Sequence, residues 1–68
     1  MYFKGDKKEF LNGHKIAPIA RELIITAPYL TSILNGYRSC SPRLARELTI
    51  KLKNSRNYFL YFTDKKEN

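Results

Sequence analysis

Between Ile16 and Gly36 the apolar residues recur twice at a helical period, with a short break between the two runs. Ile16, Ile19, Ala20, Leu23 and Ile24 fall on one face of a first helix, predicted over 16–24. Leu30, Ile33, Leu34 and then Tyr37 fall on one face of a second, predicted over 27–35. Thr26 stands where a helix N-cap is needed, with a side-chain oxygen able to accept from a free backbone N–H. Pro28 lies in the first turn, where its missing N–H removes no helical hydrogen bond. Gly36, after Asn35, suits the left-handed residue that stops a helix. The small Ala20 sits where the second helix must cross the first closely. This pattern holds the chain to two short helices packed across a tight turn.

The stretch Leu23-Ile24-Ile25-Thr26-Ala27-Pro28-Tyr29-Leu30-Thr31-Ser32-Ile33-Leu34-Asn35-Gly36 resembles a pattern of the lambda-repressor-like and Cro families of helix-turn-helix proteins. That pattern reads Leu-Gly-Val-Ser-x-x-x-Leu-Ser-x-Ile-Leu-Asn-Gly. Downstream, Ser41-Pro42-Arg43-Leu44-Ala45 resembles the start of the next helix in phage Cro-like and YdaS-like regulators. Together the two segments cover residues 16–52. The resemblance implies a mainly α fold, a lambda-repressor-like bundle of four to five helices in a single domain over 1–68. The families' turn glycine is replaced here by Ile24. Either a β-branched residue adopts the left-handed turn backbone, to which it is poorly suited, or the turn is built differently.

The same resemblance implies which residues meet DNA. The second helix of such a motif presents its N-terminal side chains to base edges in the major groove. With Leu30 and Ile33 required inside, the base-facing set is Ala27, Pro28, Tyr29, Thr31 and Ser32, and Ser32 holds the position that most often reads bases in these families. Neither Ala27 nor Pro28 has a polar side chain, so they are limited to thymine methyl groups or to governing fit. No Arg, Asn or Gln lies on this face, so bidentate contacts to guanine or adenine are absent and readout leans on apolar contact, water and DNA shape. Thr26, Asn35, Tyr37, Arg38, Ser41 and Arg43 are the expected phosphate contacts, Ser41 heading a helix whose free N–H groups favour an anion. Lys15 is a further candidate for phosphate, while Lys51, Lys53 and Arg56 are expected to supply general positive field.

Charge agrees with that partner without selecting it. The 68 residues carry 13 Lys and Arg against 6 Asp and Glu, a formal net charge of +7. Nucleic acid, an anionic membrane surface and an acidic protein all fit. A chain this short buries only about 60% of its unfolded surface, so dimerisation or a bound polyanion would add needed stability. Cys40 is the single cysteine, which excludes an internal disulfide and any multi-cysteine metal site, and a spectator thiol is expected. His14 is the single histidine, and no metal or other cofactor is expected. Met1-Tyr2-Phe3-Lys4-Gly5 leads into charged residues, so no signal peptide is expected, and no apolar run approaches the ~20 residues of a membrane span. A reducing cytoplasm, bacterial or phage-infected, is the expected setting.

The flanks complete the expectation. Tyr2 and Phe3 suit a short strand or an aromatic plug. Asp6 with Glu9 resembles a capping box for a helix over 7–12 that stops at Asn12-Gly13. Ser41 and Pro42 start a helix predicted over 42–53, with Leu44, Ala45, Leu48 and Leu52 on its inner face and Asn54-Ser55 at its end. Tyr58-Phe59-Leu60-Tyr61-Phe62 is read as a strand over 57–62 that pairs with Met1–Lys4 or with a second subunit, a fifth helix being the alternative. Core or dimer contact is expected of it ahead of base stacking. Residues 64–68 are charged and expected to fray.

The function expected is a sequence-specific transcriptional regulator, a Cro-like phage or prophage repressor that binds an inverted-repeat operator in double-stranded DNA as a homodimer. Repression would be steric, and so short a chain leaves little room for a ligand switch. The alternative is a protein-interaction module of the same fold, such as an antitoxin or antirepressor. No enzyme is expected, because the sequence offers neither paired carboxylates in a cleft, nor a Ser–His–Asp set, nor a glycine-rich phosphate loop.

Overall fold

A computed structural model describes residues 1–65; the expected fraying of 64–68 falls partly outside them, at 66–68. Four helices and a two-stranded antiparallel sheet make up the domain, in the order β1 (Tyr2–Phe3), α1 (Lys7–Leu11), α2 (Ile16–Glu22), α3 (Ala27–Leu34), α4 (Pro42–Lys53), a single 3₁₀ turn (Tyr58–Leu60) and β2 (Phe62–Thr63). Local chemistry sets most boundaries. Asp6 caps α1 by accepting from the Lys8 N–H at 2.9 Å, and the left-handed Asn12 and Gly13 end it after five residues. Ser41 caps α4 by accepting from the Leu44 N–H at 3.1 Å, Pro42 opens its first turn, and the left-handed Asn54 closes it. Pro18 sits in the first turn of α2, where the N–H it lacks would have had no helical partner.

The core has two parts. Ile19 and Ala20 of α2, Leu30, Ile33 and Leu34 of α3, and Ala45, Leu48 and Leu52 of α4 form its aliphatic part. Thr49 is fully buried among them, its hydroxyl donating to the Ala45 carbonyl at 2.8 Å, so no polar group is left unpaired there. The other part is aromatic. Phe10 packs against Phe3, Tyr61 and Phe62 with ring centroids 5.0, 5.2 and 5.9 Å away, all tilted or edge-on. Such pairs contribute about 0.5–1.5 kcal/mol each beyond the area they bury, which binds α1 and the chain's two ends into one unit. Lys53 adds a strut here, donating to the Glu9 carbonyl at 2.6 Å with its ammonium 6.0 Å from the Phe10 and Tyr61 rings. It therefore does more than supply general field.

Two apolar residues depart from the predicted faces. α2 stops at Glu22 and not at residue 24, and Ile24 is 92% exposed in the turn beyond it. Tyr37, placed by periodicity on the inner face of α3, lies past the helix end and is 75% exposed. In both cases a left-handed residue breaks the helical period, Ile24 itself at φ +58° and Gly36 at φ +80°. The tail departs too. In place of a strand over 57–62, a 3₁₀ turn precedes a two-residue strand that pairs Tyr2 with Thr63 and Phe3 with Phe62. The reason is periodicity: a three-residue period puts Tyr58 and Tyr61 on one side, packed on the core, and leaves Phe59 and Leu60 outside. A strand would have sent Tyr58 and Leu60 to one face and Phe59 and Tyr61 to the other.

Candidate nucleic-acid interface

The turn before α3 is fixed by backbone hydrogen bonds. The Ile24 N–H donates to the Arg21 carbonyl at 3.2 Å, and the Ile25 N–H donates to the Ala20 carbonyl at 2.9 Å. This is a Schellman helix end, with isoleucine in the left-handed position usually given to glycine. Of the two possibilities left open by the sequence, the β-branched residue adopts the turn backbone. Ile25 then turns inward to pack on the core, and Thr26, in extended conformation, starts α3. Its Oγ1 accepts from the Tyr29 N–H at 3.2 Å. Because Leu30, Ile33 and Leu34 anchor the inner side of α3, the other side is left to Pro28, Tyr29, Thr31 and Ser32.

An open groove of ≈ 470 Å³ runs along that outer flank, lined by Ile25, Thr26, Pro28, Tyr29, Ser32 and Arg38. The end of α3 places the arginine. The Ser32 carbonyl accepts from both the Tyr37 N–H at 2.9 Å and the Arg38 N–H at 3.3 Å, folding the chain back beside the helix. The Arg38 guanidinium then lies 5.7 Å from the centre of the Tyr29 ring. A cation over an aromatic face at an exposed site is held by about 0.5–1 kcal/mol, enough to bias the side chain toward the groove.

Five of the expected contact residues therefore meet at one place: Thr26, Pro28, Tyr29, Ser32 and Arg38. Ala27 and Thr31 are half-buried on the same helix and do not line the groove. Asn35 and Tyr37 are exposed at the end of α3, and Ser41 and Arg43 at the start of α4. Arg43 is paired within α4, its Nε 3.5 Å from a Glu47 carboxylate oxygen, a weak exposed interaction. Lys51 pairs with Glu22, so its charge is also met.

No protein-family model, curated protein or solved structure matches this chain. The site thus stands on its own geometry. That geometry adds a residue that the pattern reading missed. Lys7, at the start of α1, donates from Nζ to the Asn35 Oδ1 at 2.9 Å, bringing a further cation to the end of α3. No local signal in the sequence joins these two positions. Burial pushes the Cys40 thiol above its ordinary pKa, with the nearby N-terminal ammonium pulling it back in part. A protonated, buried thiol is a poor nucleophile. Among the described residues no cluster of His, Cys, Asp and Glu is placed to hold a metal ion, and no helix is long and apolar enough to cross a membrane.

Proposed function

We propose that this chain is a sequence-specific DNA-binding regulator, a Cro-like repressor in which α2, the turn and α3 act as a helix-turn-helix. The observation that carries the proposal is the grooved outer flank of α3, where hydroxyl, apolar and aromatic groups stand beside the Arg38 cation. A helix is ≈ 10–12 Å across with its side chains and the major groove is ≈ 12 Å wide, so α3 fits there. Thr26 and Ser32 supply hydroxyls to base edges or phosphate, Pro28 and Ala27 suit thymine methyl groups, and Tyr29 and Thr31 flank them. Arg38, Lys7, Asn35, Tyr37, Ser41 and Arg43 supply the phosphate grip. With no Arg, Asn or Gln within α3 itself and Arg38 assigned to phosphate, specificity draws on shape, water and apolar contact. Two copies on an inverted repeat would place their α3 helices ~34 Å apart, one turn of DNA, and block polymerase sterically.

Selection from a random duplex pool, followed by titration of the enriched sequence at several salt concentrations, tests this directly. An enriched inverted repeat with half-sites about ten base pairs apart is the expected result. Replacing Arg38 by alanine should weaken all duplexes alike and reduce the salt slope by roughly one unit. A loss confined to one sequence would remove Arg38 from the phosphate set. A second proposal, a protein-binding module such as an antitoxin or antirepressor, draws on the exposure of Phe59 and Leu60. It predicts no enriched duplex and weakly salt-dependent DNA binding.

A further inference from the structure

Among the described residues four helix ends are closed by a left-handed residue: Asn12, Ile24, Gly36 and Asn54. Three are asparagine or glycine, the residues that tolerate that backbone. Ile24 is the exception, and its side chain does not join the core; Ile25 does that. A β-branched residue held in a resisted conformation, with its side chain 92% exposed, is unexplained by folding. Its place explains it better. Ile24 does not line the groove itself but directly precedes Ile25 and Thr26, which do, together with the Arg38 cation, so its exposed side chain lies outside the groove on the approach to the start of α3. It precedes the N-cap of α3, outside the helix turn whose side chains face the bases.

We infer that Ile24 is a DNA-contact residue, packing its side chain on the apolar deoxyribose edge of the strand that passes the start of α3. This rests on the reading of the chain as a duplex binder and adds to it an apolar, sequence-independent contact. The partner is a duplex because the field is positive, formally +7 over the chain, and the groove lined by the next two residues, Ile25 and Thr26, carries an arginine. A sugar contact neutralises no phosphate, so its loss leaves the salt slope unchanged.

The test compares wild type, Ile24→Gly, Ile24→Asn and Arg38→Ala in duplex titrations at several salt concentrations, with thermal melting of each. Both Ile24 variants relieve the turn and should melt at or above the wild-type temperature. They should nevertheless bind about tenfold more weakly, the scale of one to two buried CH₂ groups. The loss should be equal on the selected and a scrambled duplex, at unchanged salt slope. Wild-type affinity in both variants overturns the inference, and a loss confined to the selected duplex overturns it in favour of a base contact. If wild type binds no duplex, the regulator proposal fails and this inference fails with it; if wild type and Arg38→Ala behave as a duplex binder should and the Ile24 variants are unchanged, only this inference fails.

Discussion

At the end of α2, the Ile24 N–H donates to the Arg21 carbonyl and the Ile25 N–H to the Ala20 carbonyl; at the end of α3, Gly36 donates to Ile33 and Tyr37 to Ser32. The two helices are finished by the same pair of hydrogen bonds around a left-handed residue, yet one residue is isoleucine and the other glycine. The bond pattern is therefore dictated by the unsatisfied carbonyls of the last turn, and the residue decides only what the turn costs. Space does not distinguish them, because a Cβ built on Gly36 meets nothing within 4 Å. The difference is conformational. For an L residue other than glycine the left-handed backbone costs roughly 1–2 kcal/mol, and β-branching lies at the upper end.

Exchanging the residues at the two turns separates these causes. The largest effect is expected for Gly36→Ile, which should lower stability by about 2 kcal/mol in urea unfolding, since it adds backbone strain without a clash. A loss below about 0.5 kcal/mol would mean that the turn relaxes, and that the kinship of the two helix ends is superficial. Next, Thr26→Ala should cost about 1 kcal/mol by removing the oxygen that meets the Tyr29 N–H, showing how far α3 depends on the cap just beyond Ile24. Smallest, and opposite in sign, is Ile24→Gly. Relief of strain is offset by about 0.5–1 kcal/mol of extra freedom in the unfolded chain, leaving a net gain of up to about 1 kcal/mol. Destabilisation would show that the exposed isoleucine holds the fold after all.

The same pair of turns marks what could be read from the sequence. Gly36, Thr26, Ser41 and Pro42 announced their roles because each residue type has a local reason to sit at a helix end, and α4 runs over the predicted 42–53. Ile24 was read two ways, as an inner-face residue by its spacing and at the turn position by resemblance, and the structure has it in the turn, exposed. Its neighbour Ile25 did the packing instead. At the candidate site, Thr26, Pro28, Tyr29, Ser32 and Arg38 line one groove because a single short helix, its N-cap and the turn after it carry them all, whereas Ala27 and Thr31 of the expected base-facing set do not line it. Lys7 was invisible because its partner, Asn35, is 28 residues away and only the tertiary fold brings them together. The aromatic run at 58–62 was legible only in part: Phe62 enters the expected pairing with the N-terminal strand, but five apolar residues in a row carry no period, and the packing of Tyr58 and Tyr61 made the rest a 3₁₀ turn.

The pairing of Tyr2 with Thr63 joins the first strand to the last and encloses every other element of the described residues. Closing so long a loop costs entropy that is recovered only when the aromatic residues meet, whereas α2 and α3 contact across a few residues. The helices should accordingly form in the folding transition state and the sheet after it. Weakening the Phe3–Phe62 contact would then accelerate unfolding and leave the refolding rate nearly unchanged. On that outcome the sheet would be a kinetic latch on a helical domain that assembles before it closes.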